Sequence, residues 1–149
     1  MTLGTTDADG NPWVSPVYFA QADYAEFYWQ SAHAAAHSGN IARRPQVSMV
    51  IFDSQVPAYH GRAVYLTGTA TELSGRGLDR AIEVYSGATA GEATSMELSE
   101  VSPPSDYRLY RATVTAAFVL CPRPPRQPCP LHAIDADHRT PVAPWRHAR

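Results

Sequence analysis

The stretch from Phe27 to Phe52, FYWQSAHAAAHSGNIARRPQVSMVIF, constrains this chain more than any other. Phe27, Tyr28 and Trp29 are strong β-formers and make one strand. Gln30 to Ser38 reads as a loop of small, hydroxyl and imidazole residues. A short helix begins near His33, continues through Asn40-Ile41-Ala42 and closes at Arg43-Arg44-Pro45, where the proline disfavours further helix. Val47 to Phe52 is a second, apolar strand. A donor-rich loop between two buried strands suits an anionic ligand. The Gln30 amide, the Ser31 and Ser38 hydroxyls and the His33 and His37 rings are its donors. Backbone N–H groups at the helix start add the positive end of a dipole.

The totals narrow the class. A chain of 149 residues fits one domain, 1–149, with a sizeable core. At 44% hydrophobic and 17% charged residues it has the composition of a soluble globular protein. A formal charge of −2 and the absence of any basic run argue against a nucleic-acid partner. All 12 cationic side chains are arginine, which excludes Schiff-base and P-loop lysines. No apolar run approaches about 18 residues, and MTLGTTDADG is no signal peptide. No membrane partner is expected, and the expected location is the cytoplasm. Cys121 and Cys129 lie in a proline-rich stretch; nothing marks secretion, so a disulfide is not expected.

Taken in order, Leu3 to Thr6 is a short strand and Asp7 to Asn11 a turn rich in residues that tolerate turn angles. Pro12 to Ala20 is the return strand of a hairpin, with Pro16 marking an edge or a bulge. Gly61 to Leu73 alternates as a strand, and Gly68 marks a bulge or a close backbone approach. Gly75 to Ser86 is a helix, with Leu78, Ile82 and Tyr85 on one face. A further short helix is expected near residues 93–100. Ser105 to Leu120 is the last strong strand, residues 121–149 are a proline-rich tail, and Asp135 to Pro141 reads as a turn. About six strands with only short helices favour an antiparallel barrel. A chain that opens directly on a strand also suggests that a covering N-terminal helix is missing.

Four blocks carry a resemblance: LGTTDADGNPWVSPVYF, then FYWQSAHAAAHSGNIARRPQVSMVIFD, then the strand from Gly61 to Leu73 that ends in YLTGTATEL, then YRLYRATV. In order and spacing they resemble the pyridoxamine 5′-phosphate oxidase-like split-barrel family over residues 3–119. The resemblance implies a mainly β fold, a six-stranded antiparallel split β-barrel of the FMN-binding type with short helices. It implies a homodimer holding FMN, or in some branches the deazaflavin F420 or haem, in a groove at the dimer interface. The flavin ring would lie along Ser15, Pro16 and Val17. Gln30 and Ser31 would touch flavin or phosphate, and His37 and Ser38 at the helix start would receive the phosphate, with Arg62 as an additional cation. The sequence departs from the family where Arg and Lys, or Arg and His, are common: Ala36 and His37 stand there, and Gly39 replaces a further arginine. A phosphate would lose charge-assisted hydrogen bonds of roughly 1.5–3 kcal/mol each.

Each residue also has a plainer reading. Tyr28 and Trp29 are core or dimer packing, Asn40 braces the loop, and Arg43-Arg44 is a charge pair at a helix end. Asp106, Arg108 and Arg111 could make a salt-bridge cluster at a dimer seam. His33 and His37 stand at i, i+4, a metal-binding spacing, but no third ligand of that class is near, so no metal site is expected. No nucleophilic triad is visible. The leading expectation is a flavin (FMN) or deazaflavin (F420)-dependent oxidoreductase acting on a small-molecule substrate, in which the cofactor carries the chemistry. The alternative is a dimer on the same fold that binds or sequesters flavin or haem without turnover.

Overall fold

The computed structural model describes residues 1–57, 60–88, 95–121 and 128–142. Strands β1 (Thr2–Thr6) and β2 (Pro12–Pro16) form the expected hairpin. Its tip is tied by Asp7, whose carboxylate accepts from the Asp9 and Asn11 backbone N–H groups at 2.9 and 2.8 Å. Gly10 takes a φ of 94°, a region that side chains rarely enter.

The remaining elements are β3 (Ala20–Ala22), β4 (Glu26–Ala32), α1 (Ala36–Arg43), β5 (Gln46–Phe52), β6 (Ala63–Glu72), α2 (Arg76–Ala88), β7 (Tyr107–Cys121) and β8 (His138–Val142). They build one 8-stranded sheet in the order β2-β1-β5-β6-β7-β4-β3, with β8 added along β7. Every pairing is antiparallel. The fold is therefore the expected mainly β split barrel, with eight strands in place of six.

Two differences account for the count. The strand after the first turn stops at Pro16 and resumes as β3, leaving residues 17–19 outside the ladder. Residues 138–141, expected within a turn, join Val142 in β8 instead: the turn ends before His138, and Thr140 and Arg139 pair with Val119 and Leu120. Gln30 and Ser31 sit at the end of β4 rather than in a loop, and α1 starts at Ala36 rather than near His33. Only a short 3-10 turn, Leu98–Glu100, represents the helix expected near residues 93–100, and residues 91–94 lie outside the described residues.

Strand β4 lies between two apolar layers, because successive side chains point to opposite faces. Trp29 joins Leu3, Phe27, Ile41, Met49, Leu66 and Tyr110 on one side. Tyr28 joins Leu73, Leu78, Ala81, Val101 and Leu109 under α2 on the other. Trp29 stacks on Tyr110 with centroids 5.8 Å apart and planes at 15°. Both large aromatics are thus packing residues, each contributing on the order of 1.5–3 kcal/mol through burial.

Gly68 sits where the register of β6 on β7 shifts. A Cβ there would collide with the Thr113 carbonyl oxygen, so the close approach read from the sequence is real. The arginines of β7 find acids, though not Asp106: Arg111 donates to Glu26 at 3.2 Å and Arg108 lies 3.5 Å from Glu72. Asp106 contributes its backbone carbonyl, which accepts from the His33 N–H at 2.8 Å.

Candidate ligand groove

Three pieces of backbone meet beside the start of α1. The end of β4 brings Gln30 and Ser31, the interrupted segment after β2 brings residues 16–19, and the first turn of α1 brings His37. Together with Met1 they line an open groove of about 640 Å³. The N-terminal ammonium donates to the Val17 carbonyl at 2.8 Å, and the Val17 N–H donates to the Met1 carbonyl at 2.9 Å, which holds the groove's apolar wall against β1. That wall is Pro16, Val17, Tyr18 and Phe19; Tyr18 is 90% exposed.

His37 is the polar centre. Its Nδ1 lies 3.1 Å from Ser15 Oγ and its Nε2 2.7 Å from Ser31 Oγ. A hydroxyl can donate to one ring nitrogen and accept from the other, so the pair of serines suits a neutral imidazole. Partial burial acts in the same direction and pushes the His37 pKa below its usual range. Ser15 is held in turn by Trp13 Nε1, which donates to its hydroxyl at 3.1 Å.

Of the residues picked from the sequence, Pro16, Val17, Gln30, Ser31 and His37 line the groove, and Ser15 reaches it through His37. Ser38 does not. It is about 100° further round the helix, buried, and donates its hydroxyl to the Ala32 carbonyl at 2.8 Å, where it fastens α1 to the end of β4. Arg62 is exposed just before β6 and is absent from the lining. Arg43 and Arg44 are spent elsewhere, on the Gly39 and Ala8 carbonyls at 3.2 and 2.9 Å.

The groove therefore offers a planar ligand an apolar wall, two hydroxyls, an amide and a neutral ring, and among the described residues no cationic side chain. That set does not fit the phosphate of FMN: within one chain a dianion would meet only neutral side-chain donors. The two histidines noted at i, i+4 face different partners, since His33 pairs with Glu72 at 3.1 Å. The sequence reading missed a separate grouping, Cys121, Cys129, His132 and His138. Its one local signal was the Cys129-x-x-His132 spacing within the proline-rich tail.

An antiparallel sheet in this strand order, with a short helix over β1 and β6, is the architecture of the split-barrel proteins. The chain belongs to the pyridoxamine 5′-phosphate oxidase family, whose model matches residues 1–121. No curated protein matches the chain. Among solved structures, it is similar to a heme binding protein from Mycobacterium smegmatis at 20% identity and a TM-score of 0.66, covering 94% of this chain and 51% of that one. It thus spans about half the length of that protein. It is also similar to HutZ, the heme storage protein of Vibrio cholerae, at 23% identity and a TM-score of 0.62, covering 79% and 83%. A candidate 5-nitroimidazole antibiotic resistance protein from Bacteroides thetaiotaomicron matches at 16% identity and a TM-score of 0.64, covering 79% and 74%. At these identities the likeness establishes the fold alone. Among the described residues no helix is long and apolar enough to cross a membrane.

Proposed function

We propose that this protein binds haem in the groove beside α1, without turnover, as a homodimer whose second copy covers the open side. The observation that carries the proposal is the lining itself: an apolar wall and one neutral imidazole, with no cationic side chain among the described residues. A porphyrin face needs an apolar wall, and a neutral imidazole is the form that ligates iron. Two of the similar structures are named for heme, which supports the same reading.

In this reading His37 Nε2, which faces Ser31, would be the iron ligand, and Ser15 would accept from Nδ1–H and orient the ring. Bound haem would supply an iron centre for an imidazole to ligate. The chain's residues seat the ring, hold the imidazole and exclude water. Titration of the purified protein with haemin, followed in the Soret band, tests the idea. Saturation near one haem per chain is expected, with a changed Soret spectrum for His37→Ala and undiminished affinity for Ser31→Ala. Haemin that never saturates, or an identical spectrum for His37→Ala, sinks it.

The second reading is an FMN- or F420-dependent oxidoreductase acting on a small-molecule substrate. Family membership and the hydroxyls gathered at a helix start favour it. Bound flavin would supply hydride transfer, with Pro16 and Val17 placing the ring edge and Gln30 and Ser31 donating to it. It requires a phosphate-binding cation from the partner copy. Saturable FMN or F420 binding, with no haemin binding, would replace the first reading by this one.

A further inference from the structure

Away from the groove, four soft ligands converge where β7 ends. Cys121 closes β7 and His138 opens β8, and the two are direct cross-strand partners. Cys129 and His132 come from a tight turn. Ala133 sits there at φ 55°, with its N–H donating to the Cys129 carbonyl at 2.7 Å, and the Cys129 N–H donates to the Ile134 carbonyl at 2.9 Å. The four ligand atoms all lie within 4.8 Å of one another.

The sulfur–nitrogen and nitrogen–nitrogen separations are close to those of a coordination shell, while the two sulfurs sit about 0.6 Å closer than zinc would hold them. The two Sγ atoms are 3.2 Å apart, His132 Nδ1 is 3.7 Å from Cys121 Sγ and 3.5 Å from Cys129 Sγ, and His138 Nε2 is 3.0 Å from His132 Nδ1. A tetrahedral zinc ion with its usual bond lengths sets these edges at about 3.8, 3.6 and 3.3 Å for sulfur–sulfur, sulfur–nitrogen and nitrogen–nitrogen pairs. His138 Nδ1 donates to the Ala136 carbonyl at 3.0 Å, so its Nε2 presents a lone pair to the cluster. Metal-bound histidines are oriented in this way by their outer neighbours. Both thiols are free and buried.

We propose that Cys121, Cys129, His132 and His138 form a structural zinc site that clips the segment after β7 onto the sheet. Two thiolates neutralise the divalent charge. No oxygen ligand belongs to the set, which disfavours calcium and magnesium. Four protein ligands leave no open position, as in structural rather than catalytic sites.

Zinc content of the purified chain, measured by elemental mass spectrometry after gel filtration, tests this directly. About one zinc ion per chain is expected. Cys129→Ser and His138→Ala should each lower bound zinc about tenfold or more. A cobalt-substituted protein should show the visible bands of tetrahedral thiolate coordination. Because a variant that loses a structural metal can also fail to fold, the wild type is stripped with a chelator in parallel: its melting temperature should fall and recover when zinc returns. Substoichiometric zinc after reduction and refolding with excess metal overturns the proposal, as does a Cys121–Cys129 disulfide that persists in place of the metal. Haem or flavin binding in the groove is a separate readout, so failure of one proposal leaves the other standing.

Discussion

His37 shows how much one side chain's surroundings decide. Held between Ser15 and Ser31 and partly buried, it titrates below the free value of about 6.5. The folded protein then binds fewer protons than the unfolded chain between the two pKa values. The stability tied to neutral His37 is whole above pH ~6.5, shrinks as pH falls through that value, and stops shrinking below the folded pKa. Denaturation midpoints of wild type and His37→Ala across this range should converge as pH falls; a constant gap would mean His37 is not the titrating group. Gly68 is a second single-residue constraint. Gly68→Ala drives a methyl group into the Thr113 carbonyl and should cost about 1–3 kcal/mol, read as a lower melting temperature. Ser15, Ser31, His37 and Gly68 were legible because each stands at a fixed register next to a strand or turn signal. Ser38 and Arg62 were not: composition marks a polar residue as a donor but does not say which way it faces.

Among the elements, α1 is tied down by polar as well as apolar contacts. Asn40 Nδ2 donates to the Thr5 hydroxyl at 3.0 Å, and both residues are buried. Asn40→Ala should cost about 1–3 kcal/mol because it leaves a buried acceptor without its donor. Combined with Thr5→Val the losses should fall short of additive, with a coupling of about 0.5–3 kcal/mol in chemical denaturation. Additive losses would show that Asn40 and Thr5 do not act as a pair. The hairpin, α1, β5, β6 and β7 could be read from alternation, turn residues and the proline after α1. The three-residue β3 and the proline-bearing β8 could not, since neither alternates long enough to stand out. The cysteine–histidine cluster was hidden for the same reason, because it is assembled by the pairing of β8 on β7.

At the scale of the molecule, one chain leaves large apolar side chains in water along β2 and at the groove wall that follows it. Trp13, Val14 and Tyr18 are 49%, 62% and 90% exposed. The proposed homodimer accounts for that surface. Tyr18→Glu should move the mass measured by light scattering from dimer towards monomer; an unchanged mass places the interface elsewhere.

Strand β7 carries a different consequence. Of its 15 residues, those from Tyr110 to Val119 pair with β6 along one side, and along the other Tyr107 to Thr113 pair with β4 and Ala117 to Cys121 with β8. Without β8, residues 117–121 would present free N–H and C=O groups beside Val119, an invitation to pair with another molecule. Strand β8 thus covers this edge against strand-to-strand pairing with another molecule. A chain cut after residue 121 should keep its groove and form sheet-rich aggregates on standing faster than the longer chain, read by light scattering; equal rates would show that this edge is not the site of pairing.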